Sequence, residues 1–133
     1  MDTIEQMVEY IDNADKGTLS WFLLFDFQGG YTNDSPTNAT AYAHRDVLIW
    51  LQSYAINLLG PVAQTQIDFL DQVNNLVTNV GAPYAAYPGY VDPLMANGPE
   101  AYWGSNLPRL LLIKEEIDPQ NVFRNPQSPA PAS

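Results

Sequence analysis

The stretch LSWFLLFDFQ at residues 19–28 decides how this chain of 133 residues folds. It contains one charged residue, Asp26, and it is followed directly by Gly29 and Gly30. A short run rich in aromatic side chains favours a β-strand, and it is too short for a typical helix. We therefore predict a strand at residues 19–28 that is buried on much of both faces.

The sequence on either side of this strand predicts helices and further strands. The first helix starts with a Thr3-x-x-Gln6 capping box, the second has Gly81 as its C-cap, and Asp118-Pro119 ends the third. This order of elements predicts an α+β fold in which helices cover a small antiparallel sheet. In chain order the predicted elements are a helix at 3–16, strands at 19–28 and 47–56, a helix at 61–80, a strand at 84–91 with Pro88 at the sheet edge, and a helix from Ser105 or Asn106 to Ile117, with loops at 31–40 and 92–99.

The composition excludes several classes of function. Fifteen acidic residues against five basic ones give a formal net charge of −10, so nucleic acid and anionic membrane surfaces are not expected partners. The absence of cysteine and the single histidine, His44, leave little with which to bind a transition metal, and we predict no metal site. No apolar run is long enough to span a bilayer.

The two ends of the chain carry weaker signals. The N-terminus is acidic where a signal peptide would be basic, so the chain as written is expected to be cytoplasmic. Asn33 and Asn38 lie in glycosylation sequons, which hint at a secreted parent family, although we favour chance occurrences in a loop, and localisation stays open. The segment after Gln127 is short and rich in proline and alanine, and we predict a disordered tail at residues 128–133.

Familiar catalytic motifs are missing. The glycines form no phosphate-binding loop, and His44 has no serine in a nucleophile elbow to act upon. The simpler interpretation of His44 is that it anchors a loop to a strand. The acidic clusters around Asp68 and Glu115 are best interpreted as solvated helix faces. Arg109, in the first turn of a helix, is expected to pair with an acid such as Asp92.

The C-terminal third carries a dense and ordered set of motifs: YPGYVDPL at residues 87–94, YWGSNLPRL at 102–110 and IKEEIDPQNVFRNPQS at 113–128. Together they resemble the C-terminal signature of the berberine bridge enzyme-like FAD-linked oxidases of the vanillyl-alcohol oxidase superfamily. In that family the patterns are Y-x-N-Y-x-D, Y-[YWF]-G-x-N-x-x-R-L and K-x-x-x-D-P-x-N-x-F-x-x-x-Q-S. Upstream, Gly29-Gly30 and residues 41–46 also look like fungal members, so the resemblance covers roughly residues 20–128. Gly89 departs from the family pattern, where many members carry Asn.

The resemblance implies roles for individual residues. In several members the tyrosine at the position of Tyr87 is a base that takes a proton from a substrate hydroxyl, which requires a pKa lowered from about 10. Tyr90 is the alternative catalytic residue, because two tyrosines three apart on a strand point to opposite faces and only one can face a pocket. The remaining site candidates are Trp103, Tyr102 and His44 for substrate binding, and Asn106 and Gly89 for cofactor binding.

The resemblance also implies what the chain lacks. Family members carry a large N-terminal FAD-binding domain that is not present here, so FAD is the cofactor by resemblance but none is expected for this chain alone. Residues 1–127 are then part of a substrate domain. We expect its uncovered apolar face to be covered by a second copy of the chain or by a flavin-domain partner chain; this face is predicted to include Trp21, Phe25, Trp50 and Tyr54.

Three functions remain open at this point. The chain is the substrate-domain portion of a FAD-linked oxidoreductase that acts on a small organic alcohol or secondary metabolite; or it is a stand-alone, cofactor-free protein that cyclises, isomerises or binds a hydrophobic metabolite; or it is an interaction subunit or degenerate gene product. Each of the first two would use a small-molecule metabolite as ligand.

Overall fold

A computed structural model of the chain describes residues 2–78 and 84–131. Two strands pair into an antiparallel sheet, and helices make up the rest of the regular structure, which confirms the α+β prediction. The elements are α1 (Thr3–Asn13), β1 (Ser20–Phe27), α2 (Tyr31–Asp34), β2 (Ile49–Ile56), α3 (Gln64–Thr78), α4 (Gly98–Trp103), a 3₁₀ turn (Gly104–Asn106) and α5 (Leu107–Ile117).

The chain divides into two compact units, the first formed by Met1–Asp26 with Leu51–Tyr84 and the second by Phe27–Trp50 with Ala85–Ser133. Both strands run from one unit into the other, because the division falls near one end of β1 and near the start of β2. No helix in the described part of the chain is long and apolar enough to cross a membrane.

The two predicted long strands are present as β1 and β2, but β1 is largely exposed rather than buried on both faces, and the prediction of a third strand at residues 84–91 is wrong. Those residues form an irregular segment that ends in a turn. Pro88 lacks the N–H that a sheet requires, and Ala86 donates its N–H to the carbonyl of Ala101, 2.9 Å away, rather than to a strand. Tertiary pairing with a helix thus replaces sheet pairing here.

Helix α1 starts at Thr3 as predicted, but its capping box lies one residue earlier than the Thr3-x-x-Gln6 pattern indicates. The capping box uses Asp2, whose Oδ1 accepts from the N–H of Ile4 at 2.8 Å, and Glu5, whose carboxylate accepts from the N–H of Asp2 at 3.2 Å. The helix ends at Asn13 rather than at residue 16. Gly17 has a positive φ of 62° and lies against the start of α3, where a Cβ would be 3.0 Å from Cγ of Gln66.

Phe69 is the centre of the first unit. It lies on α3 with 1% of its surface exposed, the ring of Tyr10 stacks on it at 5.9 Å, and Trp21 contacts it edge-on at 5.7 Å. Lys16 places its Nζ 5.3 Å from the Trp21 ring. One buried ring therefore joins α1, β1 and α3.

Helix α3 starts later than predicted, because Gln66 provides the cap. Its Oε1 accepts from the N–H of Ala63 at 2.8 Å, which makes Gln64 the first helical residue. The predicted end at residue 80 and the predicted C-cap Gly81 lie outside the described residues.

The second unit contains α4, α5 and the connecting 3₁₀ turn around a small core of Ala86, Ala101 and Tyr102. The sequence predicted loops at 31–40 and 92–99, but α2 lies in the first and α4 begins at Gly98. Both are short helices with little apolar periodicity of their own. Their formation depends on tertiary contacts, which composition does not reveal.

One expectation about surface groups is wrong, and another holds in part. Arg109 was expected to pair with Asp92, but the ion pair in the described part of the chain joins Lys114 to Asp118. The carboxylate of Asp92 instead accepts a hydrogen bond from the N–H of Leu94 at 2.8 Å. The predicted uncovered apolar face is exposed at Phe25, whose side chain is 48% exposed. The other three side chains predicted for it are half-buried: Trp21, Trp50 and Tyr54.

Replacing Phe69 by alanine tests the core of the first unit. Because the ring is buried and contacts two other rings, we expect Phe69→Ala to lower the free energy of unfolding by about 3–5 kcal/mol in a urea titration. The exposed Asp71→Asn on the same helix should change it by less than about 0.5 kcal/mol. A loss for Phe69→Ala no larger than that of the control would contradict this packing.

Candidate aromatic site

Five ring side chains of the second unit form a continuous cluster, which we call the aromatic wall: Tyr42, His44, Trp50, Tyr87 and Tyr90. Tyr87 is its centre, with ring-centroid distances of 6.0 Å to Tyr42, 5.9 Å to Trp50 and 5.0 Å to Tyr90. The His44 ring stands edge-on to Tyr42 at 5.6 Å and to Trp50 at 5.3 Å. The wall joins residues far apart in sequence, which no local motif could show.

A tight turn carries the two outer tyrosines. Tyr90 donates its N–H to the carbonyl of Tyr87 at 3.0 Å, with Pro88 and Gly89 at the corners of the turn. The prediction that Tyr87 and Tyr90 point to opposite faces is therefore wrong, because it assumed a strand. The turn instead brings both rings to the same cluster.

Gly89 leaves room for the ring of Tyr87 in the position that this ring adopts. A Cβ at residue 89 would overlap Cε1 of that ring. The ring of Tyr87 thus fills the space that a side chain at residue 89 would need.

The tyrosine hydroxyls differ in their availability. Tyr102 accepts from the N–H of Asp92 at 2.8 Å and donates to the carbonyl of Tyr90 at 3.1 Å, and Tyr42 donates to Oε1 of Gln28. The hydroxyls of Tyr87 and Tyr90 make no hydrogen bond within the described residues, and these side chains are 38% and 49% exposed. Both phenols can therefore bind a ligand.

Tyr42 is a supporting residue rather than a base. Burial raises the pKa of its hydroxyl, an effect that exceeds the opposing hydrogen bonds from Trp50 and to Gln28; Tyr87 also raises it and Arg45 lowers it. A phenol with a raised pKa stays protonated at neutral pH. Its donated hydrogen bond then holds the ring in the wall.

The predicted substrate-binding residues lie mostly behind the exposed surface. Tyr102 is 1% exposed with its hydroxyl fully used, and His44 is buried with Nε2 3.0 Å from the carbonyl oxygen of Tyr102. Trp103 is half-buried and donates Nε1 to the carbonyl of Gln127 at 3.2 Å. This geometry favours support of the wall over direct substrate contact, and it agrees with the interpretation of His44 as an anchor.

The residues predicted to bind cofactor are also engaged elsewhere. Asn106 is buried and donates Nδ2 to three carbonyls, those of Thr37 at 2.7 Å, Thr40 at 3.1 Å and Ala41 at 3.2 Å. Gly89 is occupied by the Tyr87 ring. The side-chain amide of Asn106 therefore has no donor left for a flavin, and the Tyr87 ring fills the space beside Gly89.

The described residues as a group do not fit a resident FAD. The pyrophosphate of a dinucleotide needs hydrogen-bond donors. Most of the basic side chains, which could donate, already form hydrogen bonds within the chain. His44 is buried and the sequence has no cysteine, so neither an exposed imidazole nor a thiol is available for covalent flavin attachment. No group of three or more metal-ligating side chains occurs in the described residues either. The basic side chains that already donate hydrogen bonds within the chain are those of Lys16, Arg45, Lys114 and Arg124.

Sequence reasoning missed two glutamines that organise polar contacts. Gln28 bonds Tyr42 and Trp50 in the second unit. In the first unit, the buried Gln52 donates to the carboxylate of Asp26 and accepts from the hydroxyl of Tyr54 at 2.5 Å. The signal in the sequence was the isolated charge of Asp26 in an apolar strand, since such a charge needs a polar partner nearby.

Residues 86–129 match the protein-family model described as berberine and berberine like. This part of the chain is a berberine bridge enzyme-like domain. The recognition made from the C-terminal motifs is thereby confirmed. The matched segment includes Tyr87, Gly89 and Tyr90 of the aromatic wall and the support residues Tyr102 and Asn106.

Similarity extends beyond the berberine-like domain to nearly the whole chain. A FAD-linked oxidoreductase, sorD, from Penicillium rubens is 34% identical over 99% of this chain. Among solved structures, a chitooligosaccharide oxidase has a TM-score of 0.85 at 28% identity over 98% of the chain, and the xylooligosaccharide oxidase from Myceliophthora thermophila C1 in complex with xylobiose has 0.84 at 33% over 99%. The chain spans 29% of the first of these proteins and 30% of each of the other two.

Replacing Gly89 by alanine tests the turn of the berberine-like domain. Because the new methyl group would overlap the Tyr87 ring, we expect Gly89→Ala to displace that ring and weaken nuclear Overhauser contacts between Tyr87 and both Trp50 and Tyr42. Gly29→Ala is the matched control, since a Cβ there meets nothing within 4 Å. Unchanged contacts in Gly89→Ala would contradict the described turn.

Asp118 in the berberine-like domain predicts a pH dependence of stability. A hydrogen bond from Lys114, together with the N–H groups of Val122 at 2.8 Å and Phe123 at 2.9 Å, holds the pKa of this carboxyl below its usual range. Because the pKa is lower in the folded state, the carboxylate stabilises the fold above the unfolded pKa of about 3.9, and this stabilisation is lost as the pH falls through the lowered value.

We therefore expect Asp118→Asn to be less stable than the parent at pH 7, with the difference shrinking as the pH falls below about 4 in thermal melts. Asp12→Asn, on the surface of α1, serves as the control and should follow the parent at every pH. A constant difference between Asp118→Asn and the parent over that range would show that the carboxylate contributes no pH-dependent stability.

Proposed function

We propose that the chain is the substrate-facing portion of a FAD-linked oxidoreductase that acts on a small organic alcohol. The observation that supports this most directly is the pair of phenols at Tyr87 and Tyr90, which are free of hydrogen bonds and half exposed at the edge of a packed aromatic wall. Aromatic faces with a few convergent polar groups are typical of small-molecule sites. Similarity to a FAD-linked oxidoreductase and to two oxidases named for oligosaccharides supports a hydroxyl-bearing substrate.

In this proposal Tyr87 holds or moves the proton of a substrate hydroxyl. Its ring is fixed by three neighbouring rings, so the hydroxyl is presented in one orientation and loses little freedom when a ligand binds. Tyr90, with its hydroxyl also free, contributes the second polar contact. The exposed ring surfaces of both tyrosines can pack against the apolar face of a sugar or another organic ring.

Redox chemistry in this proposal needs a flavin that the described residues do not hold. FAD carries the electron-transfer chemistry in flavoenzymes, and the protein supplies position and environment. We therefore propose a flavin-binding part as the partner of this chain. A second copy of the chain, the other partner expected from the sequence, remains a prediction.

A chimera tests the proposed function. We would replace the equivalent part of the chitooligosaccharide oxidase with this chain and measure FAD content, flavin absorption and oxidation of a panel of sugars and alcohols. The chimera should bind FAD and turn over at least one alcohol. Tyr87→Phe in the chimera should lower kcat by about 10²–10⁴-fold without altering the flavin spectrum, the range expected for loss of a proton-transfer group.

The matched control is Tyr31→Phe, which removes another exposed phenol that lies outside the wall. It should leave kcat unchanged. If the chimera binds FAD and turns over substrate but Tyr87→Phe behaves like Tyr31→Phe, Tyr87 has no part in proton transfer. If a correctly folded chimera binds FAD but oxidises no alcohol, the oxidoreductase proposal is wrong.

A further inference from the structure

Gln28 lies behind the aromatic wall and uses both ends of its side-chain amide. Its Nε2 donates to the carbonyl of His44 at 2.7 Å. Its Oε1 accepts from Nε1 of Trp50 at 3.1 Å and from the hydroxyl of Tyr42. The partners fix the orientation of the amide, because a flipped amide would place its NH₂ group against the N–H of Trp50 and its oxygen against a carbonyl.

The backbone of Gln28 is also fixed. It directly follows β1, and its N–H donates to the carbonyl of Leu48 at 2.9 Å, next to the start of β2. The side chain is half-buried, so its hydrogen bonds are shielded from competing water. A rigid strand end therefore presents one acceptor atom to two aromatic donors.

The two rings that Gln28 holds are two of the three that contact Tyr87. Tyr42 and Trp50 lie 6.0 Å and 5.9 Å from the Tyr87 ring. Trp50 Nε1 also lies 3.2 Å from the Tyr42 hydroxyl, so the amide oxygen closes a small polar network between the two rings. Without that oxygen the Tyr42 hydroxyl loses its acceptor, and the indole N–H keeps only its contact with a phenol that is free to rotate.

We propose that Gln28 is a positioning residue for Tyr87, which acts by fixing the Tyr42 and Trp50 rings against which Tyr87 packs. The importance of that position for chemistry rests on the proposed function. Gln28 itself has both ends of its amide bonded within the chain and touches Tyr87 through the two rings, so it is not a catalytic residue.

The test replaces Gln28 by methionine, which keeps the length of the side chain and removes its hydrogen bonds. In NMR spectra of the chain, we expect the Trp50 indole proton of Gln28→Met to exchange with solvent about five- to tenfold faster, the change expected for loss of one neutral hydrogen bond. Nuclear Overhauser contacts between Trp50 and Tyr87 should weaken. The Trp103 indole, which is bonded to the carbonyl of Gln127, is the internal reference and should not change.

Two further variants separate positioning from general stability. Gln72→Met, at an exposed glutamine on α3, should leave the exchange of the Trp50 indole unchanged. Gln28→Glu keeps an acceptor oxygen for Trp50 and Tyr42 but sets its other oxygen against the His44 carbonyl, so it is compared with the parent at low pH, where the protonated carboxyl can donate to that carbonyl as the amide does. Under that condition it should keep Trp50 indole exchange within about twofold of the parent.

The proposal is overturned if Gln28→Met folds and keeps both the Trp50 exchange rate and the contacts between Trp50 and Tyr87. Should Gln28→Met not fold, Gln28→Glu decides: parent-like exchange supports the proposal, and exchange as fast as in an unfolded reference peptide overturns it. These measurements involve neither flavin nor substrate. They therefore test the positioning role independently of the chimera. If Tyr87→Phe fails to lower kcat in the chimera, that result contradicts only the proposed function.

Discussion

The packing of the Tyr87 ring is the contact on which the candidate site depends. Three rings surround it, Gly89 leaves room for it, and the turn from Tyr87 to Tyr90 sets where its hydroxyl emerges. A ring confined on several sides cannot leave its position without breaking those contacts. The second unit thus presents two phenols in a fixed arrangement although the segment that carries them is neither helix nor strand.

Polar side chains, rather than a sheet, hold this irregular backbone together. Gln127 is buried and donates Nε2 to the carbonyls of Asp92 at 2.9 Å and Met95 at 3.1 Å, while Asn106 bonds three carbonyls of the 37–41 loop. Buried carbonyls need donors, and these amides supply them where no neighbouring strand does. The C-terminal motif residues therefore serve first as a framework for the turn that bears Tyr87 and Tyr90.

Sequence patterns predicted the elements that carry their own periodicity, and missed those that depend on tertiary contacts. The strand around Asp26 and helices α1, α3 and α5 follow from apolar patterning, and the motifs between Tyr87 and Ser128 predicted the family. A strand was predicted at the segment that contains the Gly89 turn because this segment is short and rich in aromatic residues, and its pairing with Ala101 leaves no local signal in the sequence. Gln28 was missed because its partners are far away in sequence, and a single glutamine at a strand end carries no local signal.

The most direct test of the account is a titration of the chain with xylobiose, followed through assigned tyrosine ring resonances. A site at the edge of the wall predicts saturable shifts at Tyr87 and Tyr90, whose hydroxyls are free, with none at the buried Tyr102 or at the exposed Tyr31 outside the wall. Binding can be weak without changing that pattern. Shifts confined to other tyrosines, while Tyr87 stays unperturbed at saturation, would contradict the assignment of this surface as the ligand-facing side.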